Sequence, residues 1–199
     1  MRKNFIISGL VLASAVLLGA CSGNDSMPGM NSGPSAQADA GHNADDVTFA
    51  QQMIPHHSQA LDMAKLVPSR STNPKVLDLA SRIEKAQDPE IQQMRGWLTT
   101  WGAGMPSMPG MSHEPMPGMS GSMPGMMSDT DLKQLEAAKG AEFDKMWLDM
   151  MIKHHQGAID MAKTELAKGG DAAVKALAQK IIDAQQAEIT EMQGLLTQS

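Results

Sequence analysis

Two copies of one thirteen-residue motif carry most of the residues in this chain that could do chemistry. MIPHHSQALDMAK occupies residues 53–65, and MIKHHQGAIDMAK occupies residues 151–163. The two copies contain four of the six histidines, and each copy also carries methionines at helical spacing from them. Imidazole nitrogen binds copper and zinc, whereas thioether sulfur favours Cu(I). The motif therefore indicates a soft-metal site.

Helical geometry points the two histidines of each motif in different directions. At about 100° per residue, His57 and His155 lie at the centre of an apolar face, and His56 and His154 lie on its flank. Methionine and histidine at i, i+4 spacing share a face, which favours metal binding by the pair. Taken singly, a buried methionine is better explained as gap-filling core. We predict two related sites, one in each half of the chain, with candidate ligands Met53, His56, His57, Met63, Met94, Met150, Met151, His154, His155, Met161 and Met192.

The helix that follows each motif carries polar residues on its apolar stripe. Gln87 and Glu90 lie within about 40° of the centre of that stripe, and Gln185 and Glu188 repeat the arrangement. A buried carboxylate or imidazole is costly unless it is paired. We therefore expect these four residues to pair with the core histidines or to surround a bound ion as secondary groups.

A low-complexity segment at residues 102–128 offers further thioethers. Methionine accounts for 19 of the 199 residues, and MPGM recurs at 27–30, 108–111, 116–119 and 123–126. Proline and glycine interrupt every possible element in this segment, so we expect a disordered loop with no core to fill. Compositional drift is the alternative explanation. The loop candidates for metal binding are Met105, Met108, Met111, His113, Met116, Met119, Met123 and Met126.

The N-terminus has the pattern of a bacterial lipoprotein signal peptide. Arg2 and Lys3 precede an apolar run, and LGAC at 18–21 has the form of a cleavage and lipidation site at Cys21, the chain's single cysteine. An uncleaved anchor is the alternative, but the apolar run is short for a membrane span. We predict a lipid-anchored protein of the cell envelope, facing the periplasm or the exterior. The net charge of −6 argues against nucleic acid as a partner.

The chain is an internal duplication. An offset of 98 residues aligns 49–98 with 147–196 without a gap, and 20 of the 50 pairs are identical. Each copy has two amphipathic segments, separated at 68–74 in the first copy and at 168–171 in the second. The predicted fold is all-α: a four-helix bundle made of two duplicated hairpins. Its predicted divisions are a signal peptide 1–20, a flexible tether 21–44 and a folded domain 45–199, within which repeat 1 is 45–101, the linker 102–128 and repeat 2 129–199.

The paired motifs, each followed by an AQxxEIxxM segment, resemble the family known as domain of unknown function 305 over residues 45–199. The resemblance implies a ferritin-like helical bundle, and some exported members of that family are associated with copper binding and tolerance. Lys153 stands where the first motif has Pro55, which leaves open whether the two sites are equivalent. The motif positions carried over are Met53, His56, His57, Met63 and Met94, with Met151, His154, His155, Met161 and Met192.

Three functions compete at this point. The favoured one is a lipoprotein that binds Cu(I), with Ag(I) suited to the same ligands, for copper buffering, trafficking or resistance; it has no catalytic residues, and a delivery partner is unidentified. The second is a ferritin-like metal-dependent oxidase or copper oxidoreductase. The Glu-x-x-His signature of di-iron bundles is absent, because Met53, Ile54, Met151 and Ile152 stand three residues before the histidines. The third is a structural lipoprotein in which the polar core residues satisfy one another.

Overall fold

The structure, a computed structural model, describes residues 41–104 and 123–197, which form five α-helices and no β-strand. The helices are α1 (Ala44–Arg70), α2 (Pro74–Thr100), α3 (Asp129–Ala137), α4 (Gly140–Lys168) and α5 (Ala172–Leu196). The all-α prediction is confirmed for these residues. In this part of the chain, no helix combines the length and the apolar character needed to cross a membrane.

Side-chain caps determine where most of the helices begin. Asn43 accepts hydrogen bonds from the first turn of α1, and Asp46 closes a capping box back onto the Asn43 backbone. Ser128 starts α3 with a capping box of its own, while Asn73 and Asp171 cap α2 and α5. Each cap satisfies backbone N–H groups that have no partner within the helix.

The helices differ from the predicted ones in two respects. α1 continues through Pro55 and Pro68 to Arg70, so the separator predicted at 68–74 is only three residues long. A proline inside a helix removes one hydrogen bond, and the flanking turns hold the helix together here. The second difference is α3, which the sequence analysis did not predict; Leu135 is its buried residue.

The helices form two hairpins that meet along α1 and α4. The three-residue connections within each hairpin make α1 antiparallel to α2 and α4 antiparallel to α5. Across the hairpins, the indole nitrogen of Trp147 on α4 donates to the carbonyl of Met63 on α1 at 3.1 Å. The buried apolar residues form two clusters, one at each end of this contact. The motif histidines occupy the stretch of α1 and α4 between the two clusters.

Candidate metal centre

The four motif histidines are buried at the middle of the contact between the two hairpins. His56, His57 and His155 are 0% exposed, and His154 is 1% exposed. The rings of His56 and His154 face each other with their centroids 3.8 Å apart and their planes at 39°. The two flanking histidines therefore meet across the hairpins, whereas the sequence analysis assigned one separate site to each half. A helical wheel describes one helix alone, so it does not show which neighbouring helix covers the flank that carries His56 or His154.

The two central histidines each bond to a carboxylate of the next helix in their own hairpin. His57 Nε2 lies 3.0 Å from Glu90 Oε2, and His155 Nε2 lies 2.7 Å from Glu188 Oε2. The expected pairing of core histidines with these glutamates is therefore present in both repeats. A carboxylate on one ring nitrogen fixes the ring and raises the basicity of the other nitrogen, as in carboxylate–histidine–metal arrangements.

A cation from the second hairpin distinguishes the two pairs. Lys180 Nζ on α5 lies 3.2 Å from Glu90 Oε1 on α2. Burial acts to raise the pKa of Glu90, but the hydrogen bond to His57 and the charge of Lys180 outweigh it and bring the pKa below its usual value. Arg82, which the duplication makes equivalent to Lys180, bonds instead to Asp78 at 2.8 Å and Glu191 at 2.5 Å. The His57–Glu90 pair thus has a cation beside its carboxylate, whereas Arg82 bonds other carboxylates instead of Glu188.

Five ring nitrogens in this cluster have no hydrogen-bond partner among the described residues. They are Nδ1 of His56, His57 and His155, and both nitrogens of His154. Burial, followed by the neighbouring His57, lowers the pKa of His56 to about 4. Burial, followed by His56, holds the pKa of His154 well below its usual value. Both facing rings are therefore neutral near pH 7, which is the form of imidazole that binds metal.

A turn at residues 123–127 closes one side of the paired rings. The Pro124 carbonyl lies 3.0 Å from His56 Nε2. The side chain of Gln59 donates to the Met127 carbonyl at 2.9 Å and accepts from the Met127 N–H at 2.8 Å. Met127 also packs against the apolar core. These residues belong to the segment that was predicted to be a disordered linker, and here they contact the candidate centre through backbone atoms.

The predicted methionine ligands of the helices are all buried. Met53, Met63, Met94, Met151 and Met192 are 0% exposed, and their thioethers belong to the same two core clusters that flank the histidines. At the edge of the core lie Met150 and Met161, at 9% and 8% exposed. Within residues 41–104 and 123–197, no group of three or more His, Cys, Asp or Glu side chains is placed to hold a metal ion. The further side-chain donors beside the histidines are buried thioethers, the amides of Gln87 and Gln185, and the carboxylates of Glu90 and Glu188 that bond His57 and His155.

The glutamine side chains predicted as secondary groups, Gln87 and Gln185, are buried at 3% exposed each. Both amide atoms of Gln87 and the oxygen of Gln185 lack hydrogen-bond partners within the described part of the chain. Of the loop candidates, Met123 and Met126 are half-buried in the turn. The others lie outside the described residues, as does the proposed lipidation site: Met105, Met108, Met111, His113, Met116, Met119 and Cys21.

A small cavity of about 190 Å³ lies beside the turn. Its lining includes Pro124, Met161, Asp45 and Glu165, so a thioether and two carboxyl groups face the same space. Pro124 is the residue whose carbonyl contacts His56, and the cavity thus reaches the turn that covers the paired rings.

Sequence reasoning missed four residues of this centre: Gln59, Pro124, Lys180, and Gly157 of α4, whose backbone lies against the turn at 123–127. Three of them act through long-range contacts that helical periodicity does not encode. Gly157 left a signal, because it stands where the first motif has Gln59, at a mid-helix position where glycine is unfavourable.

The fold and the site together define an all-helical protein built from two hairpins that bring buried histidines face to face. The family described as Domain of unknown function (DUF305) matches residues 46–196, and the chain belongs to it. The predicted family is therefore confirmed.

Solved structures resemble the chain over most of its length. A candidate secreted DUF305 protein from Streptomyces coelicolor is 33% identical, with a TM-score of 0.69 over 77% of this chain and 93% of that one. A DUF305 fragment from Deinococcus radiodurans is 32% identical, with a TM-score of 0.70 over 79% and 99%. CopM in its Cu(II)-bound form is 31% identical, with a TM-score of 0.65 over 77% and 96%. CopM is also known in Cu(I)-bound and Ag-bound forms.

One curated relative shares a shorter region. An uncharacterized protein, L153, of Acanthamoeba polyphaga mimivirus is 39% identical over 54 residues. That match spans 27% of this chain and 36% of the mimivirus protein, so it concerns about a third of the relative's length.

Proposed function

We propose that this protein binds Cu(I) at the paired histidines, with thioether ligands from the adjacent core methionines, and serves in copper buffering, trafficking or resistance. The observation that carries the proposal is the set of five buried ring nitrogens that have no hydrogen-bond partner among the described residues. A buried polar atom without a partner is costly, and a bound ion would satisfy the ring nitrogens that carry a lone pair, one on each neutral ring. Neutral imidazole with thioether sulfur is the donor set that selects Cu(I).

Similarity to CopM supports the choice of metal. CopM has been captured with copper in two oxidation states and with silver, and it covers the helical part of this chain. Ag(I) is the natural stable analogue for a Cu(I) site because both ions are soft. We propose Cu(I) as the physiological form, with metal reaching the histidines past the carboxyl groups and Met161 of the cavity beside the turn.

The proposal includes an architecture and a location. The two hairpins would form a four-helix bundle of the ferritin-like kind, with the metal held in the core between facing helices. Lipidation at Cys21 would tether that bundle to the bacterial cell envelope, and the Met-rich loop would supply further copper-binding groups. We propose binding, not catalysis, as the activity of the site.

A competition titration of the full chain against a colorimetric Cu(I) chelator tests the proposal. Met53→Leu with Met151→Leu keeps the volume of two buried side chains and removes their sulfur atoms. We expect this double variant to bind Cu(I) roughly tenfold or more weakly, with an unchanged circular dichroism spectrum. Met146→Leu is the matched control, since Met146 is a half-buried methionine of α4 outside the candidate set.

Two further chains separate the helical site from the loop. Deletion of 105–122 leaves the turn at 123–127 in place and should lower the number of bound ions but not the affinity of the tightest one. His154→Gln should weaken the tightest site, whereas His42→Gln, outside the core, should not. Failure of the intact protein to compete for Cu(I) would remove the proposal, and catalytic oxygen consumption by the Cu(I)-loaded protein would favour an oxidase instead.

A further inference from the structure

The turn at 123–127 contacts one residue from each copy of the motif, and the two residues occupy equivalent positions. Gln59 on α1 and Gly157 on α4 are related by the 98-residue offset of the duplication. In the first repeat this position carries an amide that bonds both backbone groups of Met127. In the second repeat it carries no side chain at all. The first repeat therefore binds the turn through Gln59, and the second repeat leaves space for it at Gly157.

The turn fully occupies the space in which a side chain at Gly157 would begin. A Cβ atom added there would overlap the Pro124 carbonyl group and lie 2.8 Å from the Gly125 Cα. Gly125 is equally restricted, because it has a φ of +77° and a Cβ on it would lie 2.5 Å from the Lys153 carbonyl oxygen. Only glycine at both positions lets the turn approach the backbone of α4 this closely.

The position of the turn determines which ring nitrogen of His56 carries the proton. A carbonyl oxygen can only accept a hydrogen bond, so the 3.0 Å contact with Pro124 requires His56 Nε2 to carry the proton. In a neutral ring, the other nitrogen then has the free lone pair. That nitrogen, Nδ1, is buried and has no hydrogen-bond partner in the described part of the chain.

We propose that Gln59 and Gly157 are positioning residues of the metal centre: they hold the Pro124 carbonyl on His56 and so present Nδ1 of that ring to the metal. This inference rests on the proposed function for its consequence in copper binding, but the positioning itself is a property of the metal-free protein. The turn thus forms part of the centre, although it belongs to the Met-rich segment 102–128.

The test measures the tautomer of His56 in the metal-free full chain by ¹⁵N–¹H NMR of the imidazole rings. Wild type should give a protonated Nε2 and an unprotonated Nδ1. Gly157→Ala should displace the turn and produce a mixture of tautomers, and Gln59→Glu should do the same because its side chain keeps the volume but cannot donate to the Met127 carbonyl. Gly96→Ala is the control, since Gly96 is also helical and an added Cβ meets nothing within 4 Å.

Cu(I) affinity is measured on the same four proteins. Loss of a partner that orients a ligand typically weakens metal binding roughly 10- to 100-fold, and we expect that range for Gly157→Ala and Gln59→Glu. An unchanged tautomer in both variants would overturn the positioning role whatever the copper result. A wild-type protein with the expected tautomer but without Cu(I) affinity would overturn the proposed function and leave the positioning role standing.

Discussion

At the scale of single residues, the two central histidines have the same carboxylate partner but different electrostatic surroundings. Lys180 bonds the outer oxygen of Glu90, so the carboxylate behind His57 shares its charge with a cation. Glu188 bonds His155 at 2.7 Å, while the equivalent cation, Arg82, bonds other acids. A carboxylate whose charge is not shared attracts a nearby cation more strongly. The side of the centre at His155 and Glu188 should therefore attract a metal ion more strongly than the side at His57 and Glu90.

Substitution of Lys180 tests this difference. Lys180→Gln should tighten Cu(I) binding by a few-fold, a modest factor because the lysine is largely exposed and screened by solvent. Arg82→Gln removes the same charge from the equivalent position and is the control. Equal effects of the two substitutions on Cu(I) affinity would mean that only the overall charge matters.

At the scale of helices, the hairpins are joined at one end by a pair of buried carboxyl groups. Asp46 in the first turn of α1 accepts from the N–H groups of Gly170 and Asp171, at 2.9 and 3.0 Å, between α4 and α5. Burial acts to raise the pKa of Asp46, but these amides and that of Asn43 hold it below its usual value. Burial, and then the adjacent Asp46, raises the pKa of Glu165 to about 8. Glu165 is therefore protonated near pH 7, beside the ionised Asp46.

The raised pKa of Glu165 predicts how stability depends on pH. A carboxyl group whose pKa is raised on folding contributes fully below its unfolded value, near 4.5, and that contribution is lost as pH rises through about 8. Glu165→Gln keeps a neutral donor beside Asp46 at every pH. The melting temperature of the variant should match wild type near pH 4.5 and exceed it by several degrees at pH 9.

A matched substitution separates this contact from general charge effects. Glu142 is exposed on the same helix, and Glu142→Gln should not change the pH dependence of the melting temperature. A constant difference between Glu165→Gln and wild type from pH 4.5 to pH 9 would show that Glu165 titrates alike in the folded and unfolded protein.

At the scale of the whole molecule, the duplication places the candidate centre on an axis of approximate two-fold symmetry. His56 and His154 are equivalent in the 98-residue offset, and their rings contact each other. An equivalent residue that contacts its own counterpart must lie close to the axis that relates the two copies. The turn at 123–127 lies on one side of this axis only. The histidines of the centre are therefore arranged symmetrically, but the turn that covers them is not.

Much of this arrangement could be predicted from sequence, and the remainder could not for definable reasons. Motif spacing predicted the helices, the duplication and the burial of polar residues such as His57 and Glu90 on facing stripes, because these depend on periodicity within each helix. The meeting of His56 with His154 depends on how one hairpin packs on the other, which no single helix encodes. The hydrogen bond between His56 and Pro124 uses a backbone carbonyl. Every residue has such a group, so the residue type at position 124 does not predict the contact.

The most direct test of the central claim is X-ray absorption spectroscopy of the full chain loaded with one equivalent of Cu(I). Binding at the paired histidines and core methionines predicts both nitrogen and sulfur neighbours around copper, with the nitrogen contribution reduced in His154→Gln. Coordination by sulfur alone, unchanged by that substitution, would contradict the account and place the copper on methionines away from the histidines.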